Sequence, residues 1–169
     1  GVASLSRCYQ IPVYTTYGTV ATGKVDGAYQ SVCVNAGDAF EIGDFAVQTV
    51  PVPHDAREPV QYRLSANGAC LGILTDLGSI TAHVIDAYNG CNALLLEFNH
   101  DLEMLQQGSY PAALKRRVAG DYGHLNNAQA AELLAAIDTS ALSLLAVAHI
   151  SEQNNSPQHA LDDLACVAH

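Results

Sequence analysis

Leu71-Gly72-Ile73-Leu74-Thr75-Asp76-Leu77-Gly78 is the stretch at which the chain changes character. Its first half completes a hairpin: Val60 to Ser65 and Ala69 to Leu74 flank Asn67-Gly68, the dipeptide best suited to a two-residue turn with positive φ. Upstream, Phe40 to Asp44 and Phe45 to Val50 read as two more strands around Gly43-Asp44, and Ile11 to Thr15 as a short β-branched and aromatic strand. Gly18 to Val25 is small-residue sequence suited to one or two helical turns, and Val2 to Tyr9 has helical spacing. Downstream the pattern alternates. Ile80 to Tyr88 is helical and stops at Asn89-Gly90, Asn92 to Phe98 is an apolar run of strand length, and Asp101 to Gln107 and Ala112 to Val118 are helices broken by Gly108 and Pro111. A capping box at Asn126 to Gln129 opens a helix that runs through Ile137, Leu142 to Ala148 is a second buried-type strand, and Pro157 to Val167 is a final helix. A hairpin-rich first half followed by alternating strands and helices predicts one mixed α/β domain over residues 1–169.

Composition agrees. A chain of 169 residues that is 49% hydrophobic and 14% charged can bury a substantial core, which excludes a disordered chain. No apolar run approaches the roughly 18–20 residues needed to cross a bilayer, so no membrane association is expected. The net charge of −10 repels polyanions unless bound cations or a local basic patch reverse the field; Arg57 and the Lys115-Arg116-Arg117 run are the candidates, the latter equally readable as a solvated helix end. Five scattered cysteines without a Cys-x-x-Cys pair point to reduced, mostly buried thiols and a cytoplasmic location. The first residue is Gly1, inside a helical pattern and without an initiator Met, which reads as a segment of something longer.

Four apolar strands run into a residue that can bind a metal or move a proton. Val47 to Pro53 runs into His54, Leu71 to Thr75 into Asp76, Leu94 to Leu96 into Glu97, and Leu144 to Ala148 into His149. Strand ends on one edge of an α/β layer are rigid and face a common crevice, which is why sites collect there. Taken singly, Asp76 before Leu77-Gly78 reads as a turn residue, His149 as a core histidine and His124 as an exposed residue before a helix. Glu97 is harder to dismiss, because a carboxylate at the end of a buried strand needs a partner.

Five segments, in order along nearly the whole chain, carry a family resemblance. They are Pro51 to Val60 (Pro-Val-Pro-His-Asp-Ala-Arg-Glu-Pro-Val), Leu74-Thr75-Asp76-Leu77-Gly78, Leu94 to Asp101, Gly120 to Asn127 and Ala148 to Asn155. The chain resembles the metallo-β-lactamase-fold hydrolases, in the YycJ/WalJ branch near ribonuclease Z and the phosphodiesterases. The resemblance implies a four-layer αββα sandwich and two divalent ions (Zn, Mn or Fe). It matches His54, Asp76 and His149 to metal ligands, with Asp76 bridging, and Glu97 with His124 to the carboxylate–histidine pair that transfers a proton. His100 either lines the pocket or caps the following helix. The family's His-x-His-x-Asp-His motif is absent from this sequence, so the fold is expected to be N-terminally truncated and the metal centre complete only with that segment. Apolar surface left uncovered in that way would favour a homodimer. Phosphodiester hydrolysis, on nucleic acid in particular, is the implied activity. A thioester or ester hydrolase of the same fold and an inactive, metal-poor fragment are the alternatives.

Overall fold

The computed structural model describes residues 1–166; Val167, the expected last residue of the final helix, lies outside the described residues. The chain opens with α1 (Val2–Tyr9), β1 (Val13–Thr15), α2 (Tyr17–Val20) and β2 (Ser31–Cys33). An antiparallel meander follows: β3 (Ala39–Ile42), β4 (Phe45–Pro51), β5 (Val60–Ala66) and β6 (Ala69–Leu74). The remainder is α3 (Ala82–Tyr88), β7 (Ala93–Glu97), α4 (Leu102–Gln107), α5 (Ala112–Val118), α6 (Asn127–Ala136), β8 (Leu144–Ala148) and α7 (Pro157–Ala165).

Strands β3 to β8 lie side by side in sequence order as one six-stranded sheet. Asn67 and Gly68 both take positive φ, as the two-residue turn between β5 and β6 demands. Beyond β6 the pairing becomes parallel, with α3 crossing over from β6 to β7 and α4 to α6 from β7 to β8. Strands β4, β6, β7 and β8 therefore run the same way and end at one edge. All four strands singled out for their polar ends are on that edge.

Alternation along the strands splits the sheet into two faces. Cys70, Gly72 and Leu74 of β6 and Leu94 and Leu96 of β7 turn toward the helices, where they join Val84 and Tyr88 of α3, Leu133 of α6 and Ala160 of α7 in one core. Gly72 makes room there: a Cβ at that position would lie 2.6 Å from the Tyr88 ring. Tyr88, fully buried, donates its hydroxyl to the Ile73 carbonyl at 2.9 Å. Each buried leucine of this layer stabilises the fold by about 2 kcal/mol. On the opposite face β1 and β2 form a two-stranded parallel sheet over the β3–β5 end, where Tyr14 stacks on Phe40 at 5.1 Å and the Tyr62 hydroxyl donates to the Tyr14 carbonyl. Leu71, Ala93 and Leu144 form a row across β6, β7 and β8 on that same face, and Leu71 and Leu144 are exposed.

Two expectations need correction, and one strand had no sequence signal. The helical stretch is α2, over Tyr17–Val20 only, because Gly23 and Gly27 take left-handed φ and turn the chain instead. Strand β2 carried no periodic signal, being three residues long and held by its pairing with β1. Cysteines Cys8, Cys33 and Cys166 are exposed, and Cys70 and Cys91 alone are buried, with sulfurs 3.4 Å apart. Among the described residues no helix is long and apolar enough to cross a membrane.

Candidate metal centre

Register brings the polar strand ends together. Leu74 pairs with Leu96 and Glu97 with Ala148, so Asp76, Glu97 and His149 emerge side by side from β6, β7 and β8. Asp76 and His149 both adopt left-handed backbone with φ of 54°. Neither is glycine, so each turn costs about 1 kcal/mol and persists because its surroundings hold it. The Asp76 N–H donates to Glu97 Oε2 at 2.8 Å, and the Asn99 side chain donates to the His149 carbonyl at 3.1 Å.

Glu97 organises the centre. Its carboxylate is fully buried and accepts from the Asp76 and Leu125 N–H groups. Oε2 lies 3.1 Å from His124 Nδ1 and 2.5 Å from His149 Nδ1. Burial alone would raise its pKa; the hydrogen bonds from the two imidazoles and the Asp76 N–H outweigh burial and lower it to about 2. The same Glu97 hydrogen bond raises the pKa of His149 against the effect of burial.

His54 reaches the cluster from the loop after β4. Its Nδ1 stands 3.0 Å from the Gly123 carbonyl, which can only accept, so Nδ1 is the donor and Nε2 is the nitrogen turned to the cluster. Nε2 faces Asp76 Oδ1 at 3.8 Å and Asp55 Oδ1 at 3.7 Å. The Asp55 N–H donates to the Tyr122 carbonyl, and the Asp55 carboxylate is bound by the Arg117 guanidinium, which holds its pKa below the ordinary range. Gly78 N–H donates to the Pro53 carbonyl, tying the loop that carries His54 to the turn that carries Asp76.

A divalent ion suits this donor set. Asp76 Oδ1 is 3.8 Å from His54 Nε2, too far for a hydrogen bond and close enough to share an ion, and 3.7 and 3.8 Å from the Nδ1 atoms of His124 and His149, which Glu97 holds. Single ligand atoms of Asp76, Glu97, His124 and His149 all lie within 4.8 Å of one another. In each histidine Nδ1 has an acceptor, the Gly123 carbonyl for His54 and Glu97 Oε2 for His124 and His149, which leaves Nε2 of each ring for a metal or a proton; this is the support that metal-bound imidazoles use.

All five residues singled out from the sequence thus converge. What sequence reasoning missed is the support: the Gly123 carbonyl, the Leu125 N–H and the Arg117–Asp55 pair, none of which has a local signal. His100 does not cap α4; Asp101 does, accepting from the Met104 N–H. The His100 ring is fully buried and neither nitrogen has a hydrogen-bond partner among the described residues. Burial lowers its pKa to about 4.

Residues 1–150 match the β-lactamase superfamily domain. Over 162 residues the chain is 35% identical to the exodeoxyribonuclease YycJ of Bacillus anthracis, covering 92% of this chain and 60% of that protein. The chain therefore spans about three-fifths of the length of that curated relative. Among solved structures it is similar to the metallo-β-lactamase fold protein YhfI from Bacillus subtilis (TM-score 0.68, 13% identity, covering 93% of this chain and 58% of that one). It is also similar to Zn²⁺-bound PqqB from Methylobacterium extorquens (TM-score 0.66, 15% identity, covering 99% and 61%). With the fold, the ordered motifs and the domain match in agreement, the chain belongs to the β-lactamase superfamily and has the metallo-β-lactamase fold.

Proposed function

We propose that this chain carries the larger part of a metal-dependent phosphodiesterase that acts on nucleic acid. The observation that supports the reading most is the buried Glu97 carboxylate shared by His124 and His149 beside Asp76. The relative named as an exodeoxyribonuclease adds to it. Residues His54, Asp76 and His149 would hold the divalent ions, of which the resemblance implies two. When bound, such ions supply Lewis-acid stabilisation of phosphoryl oxygens.

The chain's own residues do the rest. Glu97 fixes the rotamers of His124 and His149 and, through the Asp76 N–H, the turn that aims the Asp76 carboxylate. His124 is the proton donor to the leaving oxygen: its Nδ1 is committed to Glu97, which leaves the opposite nitrogen for the transfer. Cavities of about 360, 200 and 170 Å³ adjoin the centre on the His54–Asp76, His124–His149 and His54–His124 sides, so an extended strand can pass across it.

The test is hydrolysis of a panel containing single-stranded DNA, bis(4-nitrophenyl) phosphate and an acyl thioester, with Zn²⁺ or Mn²⁺ added. Turnover of the phosphodiesters alone is expected. Turnover of the thioester alone would move the assignment to the ester class, and no turnover with no bound metal would identify a metal-poor segment. For the His124 role, His124→Ala is expected to lower turnover at least a hundredfold while the metal content holds; loss of metal from that variant would make His124 a ligand instead.

A further inference from the structure

The cavity beside His54 and Asp76 is also lined by Thr16, Thr19 and Arg57. At about 360 Å³ it falls within the range of ligand pockets, roughly 300–1,000 Å³. Backbone contact fixes this part of its wall in place. The Gly18 N–H of α2 donates to Glu58 Oε2 at 2.7 Å, and a Cβ on Gly18 would lie 2.1 Å from the Arg57 carbonyl oxygen, so only glycine lets α2 sit against residues 57–58. This seating sets the Tyr17 ring beneath the Arg57 guanidinium, 5.3 Å from ring centroid to carbon. The cation thus rests on an aromatic face, which orients the planar fork without consuming its hydrogen-bond donors. Arg117, the other arginine beside the centre, is spent on Asp55. Glu58, a carboxylate on the same wall, accepts from the Gly18 N–H through Oε2.

We propose that this cavity is a subsite for the backbone phosphate next to the one being cleaved, with Arg57 as its anion-binding residue and Tyr17 as the support that orients it. The inference rests on the nucleic-acid reading above. In a chain of net charge −10 with 7 basic residues, a guanidinium held open at the mouth of the metal centre is suited to an anion. The threonine hydroxyls and the Arg57 guanidinium of its lining offer donors that a sugar–phosphate can use. Distance along the strand then selects: a substrate long enough to place a second phosphate in the cavity gains the contact, and a single phosphodiester does not.

The experiment is fluorescence-anisotropy titration of the full chain with short oligothymidylates, with Zn²⁺ present and phosphorothioate linkages to block turnover. One set of strands carries a single neutral methylphosphonate at successive positions. For the wild type, one position is expected to weaken binding about tenfold, as loss of a charge-assisted hydrogen bond would. Arg57→Gln should weaken the fully charged strand by the same factor, lower the slope of log K against log salt by about 0.7, and abolish the penalty at that position. Tyr17→Ala should weaken binding with the slope preserved, and Tyr17→Phe should behave as wild type. If no neutral position affects the wild type, or Arg57→Gln keeps the same position-dependent penalty, the subsite is refuted while the nucleic-acid reading stands. If the wild type binds no strand, that reading falls and the subsite with it.

Discussion

Replacing Gly78 by alanine tests whether the centre depends on the packing of one turn against another. Gly78 does not need glycine for its φ, so the substitution adds a methyl group and little else. That Cβ would lie 2.5 Å from both the Asp121 carbonyl oxygen and the Gly123 nitrogen, about 0.9 Å inside the 3.4 Å at which ordinary contact begins. Its neighbours are backbone, which cannot rotate away as a side-chain tip can. The turn carrying Asp76 and the loop carrying Gly123 and His124 must therefore separate by most of that distance. The separation falls on contacts that build the centre: Gly78 N–H to the Pro53 carbonyl, His54 Nδ1 to the Gly123 carbonyl, and the 3.7 Å approach of His124 to Asp76. Overpacking of this kind costs about 1–3 kcal/mol of stability. Misplacing the groups behind metal ligands lowers metal affinity about 10- to 100-fold. Urea unfolding of the metal-free protein measures the first quantity, and chelator competition for Zn²⁺ in the folded range measures the second. A Gly78→Ala protein that is destabilised yet binds Zn²⁺ with wild-type affinity would refute the claim that this contact sets the geometry of the centre.

Three further outcomes follow from the two buried ionisable groups, Glu97 and His100. Glu97→Gln should lower Zn²⁺ affinity 10- to 100-fold, since both imidazoles lose the carboxylate that orients them. In the metal-free wild type, the Glu97 pKa lies at about 2 against an ordinary 4.5; its contribution of about 3 kcal/mol is present above pH 4.5 and lost as pH falls toward 2, and acid unfolding of the Gln variant should lack that component. His100 has the opposite chemistry and the same sign: a base held neutral, with a pKa of about 4 in place of 6.5, so stability is complete above pH 6.5 and falls by about 3 kcal/mol as pH drops to 4. Because neither His100 nitrogen has a partner among the described residues, His100→Phe breaks no hydrogen bond and should flatten that part of the profile in urea melts with chelator. An unchanged slope between pH 6.5 and 4 would assign the effect to another group.

Much of the arrangement is legible along the chain because its signals are local. Asn67-Gly68 specifies its hairpin by backbone conformation, Asn126 and Gln129 specify the start of α6 by reciprocal capping, and apolar runs of strand length mark β6, β7 and β8. The ordered motifs also point to His54, Asp76, Glu97, His124 and His149, and the structure brings all five together. Weak local signals fail for the same reason strong ones succeed: β2 exists because β1 pairs with it, and the turns at Gly23 and Gly27 end α2 early.

The sequence by itself determined which residue types stand at the ends of which strands, since a polar group after an apolar run is written in the order of the residues. Only the folded sheet decided that four of those strands run in the same direction and finish at one edge, because direction and register are set by pairing between segments distant in the chain. Only tertiary packing, likewise, sets the aim of the imidazoles: the Gly123 carbonyl holds Nδ1 of His54, and one buried carboxylate holds both His124 and His149. Those partners are 27 to 69 residues apart, beyond the reach of any local pattern.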